Sequence, residues 1–109
     1  MKNICSLDEM ENIISEGNPL LIYFSGENCS VCKVLKPKIE EQISQNFIKM
    51  ELYEVKADIY KEIASKFSVF SIPTILVFFD SKEFFRKSRN ISIAAFIEEI
   101  RRPYSLFVD

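Results

Sequence analysis

The chain has 109 residues, of which 48% are apolar and ten are Phe, enough for one domain with a real hydrophobic core. Its 14 basic and 16 acidic residues give a net charge of -2, which offers neither the clustered positive charge that attracts nucleic acid nor a polybasic membrane contact. The composition excludes collagen, broad disorder and a coiled-coil rod. No run nears the roughly 18 apolar residues of a membrane-spanning helix. The absence of histidine rules out His-based acid–base catalysis, His metal ligands and any Ser-His-Asp arrangement.

The first nine residues carry one basic residue and no long apolar run, and acidic residues enter at Asp8, so no secretory signal is expected. The expected compartment is the cytoplasm, where thiols stay reduced. Three cysteines, an odd number, argue against a disulfide-stapled secreted scaffold.

In chain order, a very short strand is expected at residues 2–4. Ser6 and Glu9 form a capping-box pattern. Leu7, Met10, Ile13 and Ile14 then recur as on one helix face, and Gly17-Asn18-Pro19 stops that helix. Residues 20–24, wholly apolar and bounded by breakers, read as a central strand buried on both faces. A loop at 25–28 leads to Cys29-Ser30-Val31-Cys32 and a helix marked by Leu35, Ile39 and Ile43, which Pro37 should kink. Residues 47–55 read as a strand. Asp58 is the expected cap of a helix whose stripe is Ile59, Ile63 and Phe67. The loop Val69-Phe70-Ser71-Ile72-Pro73-Thr74 precedes an apolar strand at 75–79, a turn at Asp80-Ser81-Lys82 and a return strand at 83–87. Asn90 or Ser92 should cap a last helix with Ile93, Phe96, Ile97 and Ile100 inside, ended by Pro103, with 102–109 as a tail. Strands alternating with helices and closed by a hairpin predict a layered α/β domain over 1–109, with a mixed sheet and right-handed crossovers.

Cys29 and Cys32 fall between a buried strand and a helix, where a CxxC reads as a redox dithiol. The thiolate is the nucleophile, and the free N–H groups of a helix N-terminus favour it, so Cys29 should ionise more readily than an ordinary thiol. Lys33 and Lys36 add positive charge nearby, whereas Glu27 opposes the thiolate if it is near. Cys32 lies close enough to attack a mixed disulfide, and burial should raise its pKa. Two blander readings compete. Tetrahedral zinc wants four Cys or His ligands, so a site within this chain would need carboxylates or Cys5, or else a second copy sharing a zinc or iron–sulfur centre. Alternatively the pair are inert core residues. Neither a metal nor a cofactor is expected.

With these residues in view, the chain resembles the thioredoxin family over roughly residues 2 to 102. The match rests on the strand at 20–24, Asn28-Cys29-Ser30-Val31-Cys32-Lys33, Pro37, and Ile72-Pro73-Thr74 before an apolar strand. The resemblance implies a thioredoxin-like fold, with a mixed four- to five-stranded sheet and about four flanking helices. It implies that Cys29 attacks and Cys32 resolves, and that Pro73 is cis and packs beside the disulfide. It also implies that the backbone at Ile72 pairs with an extended substrate segment. Several positions depart from the family pattern. Ser30-Val31 stands for Gly-Pro, and Asn28 and Ser25 stand for tryptophans. Tyr23 stands for the buried aspartate, Glu54 for its accompanying lysine and Arg89 for a glycine. Glu54 is a candidate replacement base from the neighbouring strand.

The function so implied is thiol–disulfide exchange with disulfide-containing proteins, in the reducing direction, served by an upstream dithiol donor such as a thioredoxin reductase-like enzyme. The alternatives are a thioredoxin-fold adaptor or redox sensor, or a specialised glutathione- or peroxide-linked enzyme. Cys5 is expected to be a partly buried small hydrophobe, or else to form a regulatory or intermolecular disulfide. Phe78-Phe79 and Phe84-Phe85 should divide between core and helix-covered surface. A leftover aromatic patch or the tail would support a weak dimer of an otherwise monomeric protein.

Overall fold

The run Leu20–Ser25 forms β2, the centre of the sheet, and every one of its six residues is buried. An unbroken apolar run suits a strand covered on both faces. In the computed structural model, which describes residues 1–108, β1 (Lys2–Asn3), α1 (Leu7–Ser15), β2, α2 (Ser30–Asn46) and β3 (Glu51–Lys56) come first. They are followed by α3 (Lys61–Lys66), β4 (Thr74–Phe79), β5 (Lys82–Ser88) and α4 (Ile93–Phe107). The sheet order is β1-β3-β2-β4-β5. The first three strands are parallel, while β4 runs antiparallel to β2 and β5 antiparallel to β4. The expected α/β architecture, with a mixed five-stranded sheet and four helices, is what forms.

Alternation along β2 divides the core. Leu21 and Tyr23 join Cys32, Ile39, Ile43, Phe96 and Ile100 beneath α2 and α4. Leu20, Ile22 and Phe24 join Met10, Val55, Ile63 and Leu76 beneath α1 and α3. No helix among the described residues is long and apolar enough to cross a membrane.

Local signals act as expected at several ends. The Ser6 hydroxyl accepts from the Glu9 N–H at 3.1 Å, and the Glu9 carboxylate accepts from the N–H of Cys5, one residue before the cap. Gly17, just past α1, takes a left-handed φ of 79°, where glycine meets no Cβ penalty. Ser92, not Asn90, caps α4. Asp80 and Ser81 both have positive φ, at 54° and 66°, as a tight two-residue hairpin turn requires.

Four expectations need correction. The third strand begins at Glu51 rather than 47, because Phe47 to Met50 close a turn through a Met50 N–H to Phe47 carbonyl bond. Asp58 does not cap α3: its carboxylate accepts from the Glu27 N–H, and Tyr60 stands at the cap without a side-chain bond. Ile59 is consequently exposed while Ile63 is buried. Cys5 is exposed rather than partly buried. Pro103 does not end α4. Proline removes one helical hydrogen bond, but tertiary contacts hold the last turn: Tyr104 packs on Phe47 at 4.8 Å and accepts from the Lys49 N–H. Phe107 stacks on Phe79 and meets the edge of Phe84. The expected tail is therefore helical through residue 107, and its last residue, Asp109, lies outside the described residues. Phe107 also covers part of the Phe84 side of the hairpin, and Phe85 packs inward on Phe96.

Candidate active site

The dithiol sits where β2 delivers the chain into α2. Cys29 is the N-cap of α2, and its Sγ accepts from the Cys32 N–H at 3.2 Å. A sulfur in that position faces the unpaired N–H groups and positive end of a 17-residue helix, the environment that favours a thiolate. Cys29 and Cys32 are joined as a disulfide with Cα atoms 5.3 Å apart. Cys29 is partly exposed, whereas Cys32 is 2% exposed and belongs to the core beneath α2. One sulfur is thus reachable and the other shielded. Among the described residues, no group of three His, Cys, Asp or Glu side chains is placed to hold a metal ion.

Around the cysteines, Ser30 and Val31 lie exposed at the start of the helix, and Lys33 points its N–H to the Cys29 carbonyl at 3.2 Å. Pro37 lies within α2, and the helix continues through it. Asn28 and Cys29 line one wall of a groove of about 560 Å³, and Ile72 and Pro73 another. The Ile72–Pro73 bond is cis. Thr74 fixes that loop by donating its hydroxyl to the Ser71 carbonyl at 2.7 Å.

Beneath the dithiol lies a buried polar cluster. Tyr23, fully buried, donates its phenol to the Cys32 carbonyl at 2.8 Å. Burial first, and the Glu54 charge second, push its pKa up to about 12. Glu54 pairs in register with Tyr23 on the adjacent strand. Its Oε2 accepts from the Ser25 hydroxyl at 2.6 Å and faces Lys56 at 3.4 Å, and its Oε1 accepts from Lys36 at 2.7 Å. Burial alone would raise this carboxyl. The hydrogen bonds from Lys36 and Ser25 and the charges of Lys36 and Lys56 outweigh it and hold the pKa below the usual range. Lys36, hydrogen-bonded to Glu54, is raised in turn. Both oxygens of Glu54 are therefore engaged by Ser25 and lysines.

Of the nine expected site residues, Asn28, Cys29, Ile72 and Pro73 line the groove, Cys32, Tyr23 and Glu54 lie beneath it, and Lys33 and Pro37 follow along α2 outside its lining. Sequence reasoning missed several others. Gly26 is one: a Cβ there would come within 2.7 Å of Ile72 Cδ1, so a larger residue would push the tip of the Ile72 side chain aside. Asp58 ties the loop at Glu27 from the far side. Ile91 completes the groove together with Arg89 and Asn90, which the sequence marked only as a departure from a family glycine and as a possible helix cap. Gly26 between Ser25 and Glu27 was legible as a loop glycine, but nothing in the sequence pairs it with Ile72.

The comparisons with known proteins agree with this geometry. The family model "Thioredoxin" matches residues 3–102. The chain is 33% identical over 107 residues to the thioredoxin-like protein YdfQ of Bacillus subtilis, covering 98% of this chain and 95% of that protein. It is 32% identical over 82 residues to a thioredoxin of Mycoplasmoides gallisepticum, covering 75% of this chain and 81% of that one. The solved thioredoxin of Plasmodium falciparum superposes with a TM-score of 0.80 at 27% identity, covering 91% of this chain and 98% of that chain. With its CxxC disulfide at the mouth of α2, suited to thiol–disulfide exchange, the chain belongs to the thioredoxin family.

Proposed function

We propose that this protein, acting as one unit over residues 1–109, reduces disulfides in other proteins. The observation that carries the reading is the contrast between a reachable Cys29 sulfur at the helix N-cap and a shielded Cys32 behind it. In the reduced protein, the Cys29 thiolate attacks one sulfur of a substrate disulfide. The substrate S–S bond breaks, its other sulfur leaves as a thiolate, and a Cys29–substrate mixed disulfide forms. The Cys32 thiolate then attacks the Cys29 sulfur and releases the second substrate thiolate. Two electrons pass to the substrate, and the protein is left with the Cys29–Cys32 disulfide. An external dithiol donor, of the thioredoxin reductase type, restores the dithiol by the reverse exchange.

The surrounding residues take supporting roles in this reading. Ile72 and Pro73 present backbone to an extended substrate. Asn28 and Lys33 flank the attacking sulfur, and Pro37 shapes the helix that carries it. Tyr23 and Glu54 anchor the first turns of α2, through the Cys32 carbonyl and Lys36 respectively. A carboxylate held this firmly in its ionised form is a weak proton acceptor, so Glu54 serves as an anchor here rather than as the base for Cys32. The working compartment is a reducing cytoplasm, which the exposed unpaired Cys5 favours, and the working form is a monomer.

The test is substitution of each cysteine in turn. Cys29→Ser should abolish reduction of a protein disulfide, and Cys32→Ser should accumulate mixed disulfides with substrate. Full turnover by Cys29→Ser would refute the reading. The potential of the couple, measured by thiol trapping in graded redox buffers, decides direction. A value below roughly -240 mV marks a reductase, and one above about -180 mV an oxidant or isomerase.

A further inference from the structure

The groove beside Cys29 has one charged side chain in its lining. Asn28, Ser30, Val31, Leu35, Ile72, Pro73, Asn90 and Ile91 are neutral, and Arg89 is the exception. Arg89 is exposed, and no ion pair among the described residues includes it. Its neighbour Arg86, by contrast, is held in a two-nitrogen pair by Glu83. The Arg89 backbone is fixed: its N–H donates to the Pro73 carbonyl at 3.4 Å, and its φ is +60°, a left-handed conformation that favours glycine. A long cation thus sits at a position sterically better suited to glycine and is tied to the loop that lines the groove. Across Ile72 lies a second groove of about 340 Å³ whose charges, Asp58 and Lys61, are of both signs. Of the two grooves, only the one on the Arg89 side has a lining whose charge is solely positive.

Resting on the oxidoreductase reading above, we propose that Arg89 is a specificity-determining residue that selects protein segments whose half-cystine is flanked by an acidic residue. The segment lies extended along Ile72 with its carboxylate on the Arg89 side. A guanidinium matches a carboxylate through two parallel hydrogen bonds, which a neutral or basic flank cannot supply. The pair forms at an exposed rim, so the preference is modest and weakens with salt.

The experiment uses pre-reduced protein freed of reductant, mixed with fluorogenic peptide disulfides identical except for Glu, Gln or Lys beside the half-cystine. A fourth substrate joins the Gln peptide to glutathione. The dithiol supplies both electrons, so single-turnover rates need no reductase. At low salt the Glu peptide should react about 3- to 10-fold faster than the Gln peptide, and the Lys peptide slower than both, with the spread collapsing near 0.5 M salt. Arg89→Gln should erase the ranking and Arg89→Glu should invert it. Equal rates for the three peptides with wild-type protein at low salt would overturn the proposal and leave the oxidoreductase reading intact. An Arg89-dependent advantage seen only with the glutathione substrate would also overturn it. No reaction with any disulfide would remove the oxidoreductase reading and this proposal together. The salt dependence of the wild-type ranking stands as a second readout that no variant's folding can disturb.

Discussion

The two faces of β2 belong to one fully buried strand yet do different things. Toward α1 and α3 it presents Leu20, Ile22 and Phe24 to a cluster dominated by aliphatic side chains. Toward α2 and α4 it presents Leu21, then Tyr23 and Ser25, and the latter two reach a buried phenol–carboxylate–lysine cluster under the dithiol. The first face derives its stability from burial, which is non-directional. The second spends some of that stability on groups that need specific partners, and in return fixes where Cys32 and the first turns of α2 lie. The side of the sheet that carries chemistry is the side that departs from a simple hydrophobic core.

The sharpest way to break this contrast is from the apolar side. Phe24→Ala should cost about 3–5 kcal/mol in denaturant unfolding, yet leave the potential of the Cys29–Cys32 couple unchanged, because Phe24 faces away from it. A large shift in potential would show that the faces are coupled. Next in size, Glu54→Gln should cost about 1–2 kcal/mol, since Lys36 and Lys56 lose their partner but retain partial access to water. This substitution also has a pH signature. The folded carboxyl titrates below its ordinary value of 4.5, so its stabilisation is complete above that value and is lost as pH falls through the lower folded pKa. The variant should flatten that acid limb, which a stability–pH series will read.

Tyr23→Phe should cost about 1 kcal/mol for one lost buried hydrogen bond. Its signature lies at the opposite end of the scale. The folded phenol stays protonated up to about 12 while the unfolded one ionises near 10, so its contribution is full below 10 and is lost as pH rises toward 12. The variant should lack that alkaline loss. Smallest of all, Arg89→Gly should change stability by roughly zero. Relief of the left-handed backbone, about 1 kcal/mol, is offset by the greater freedom glycine brings to the unfolded chain. A loss of several kcal/mol by calorimetry would mean that the Arg89 side chain is structural.

Most of the fold was legible because its signals are local. The strand at β2, the Ser6 cap, the glycine stop at residue 17 and the hairpin at Asp80 each follow from a few adjacent residues. So did the dithiol, whose spacing and position between strand and helix are both written in sequence. What failed was set by distant partners. Asp58 looked like a cap because its competing donor, the Glu27 N–H, lies 31 positions earlier. Pro103 looked like a terminator because the rings that hold the helix past it, Phe47, Phe79 and Phe84, come from three other parts of the chain. Cys5 looked half-buried because its small apolar character says nothing about which side of the chain faces water. In the site, Tyr23 and Glu54 were singled out as substitutions from a family pattern, but that Lys36 would meet Glu54 required the register of β2 against β3 and the placement of α2 above both.

Helix α4 begins beside the groove, where Ile91 lines the wall, and ends against Phe79, at the end of β4 farthest from Thr74 and the dithiol loops. The last turn of α4 therefore lies on the side turned away from the reactive sulfur. A bead, electrode or fluorescent partner attached at an exposed position of this last turn, such as Leu106, would hold the protein with Cys29 facing outward, so immobilised molecules could meet large folded substrates.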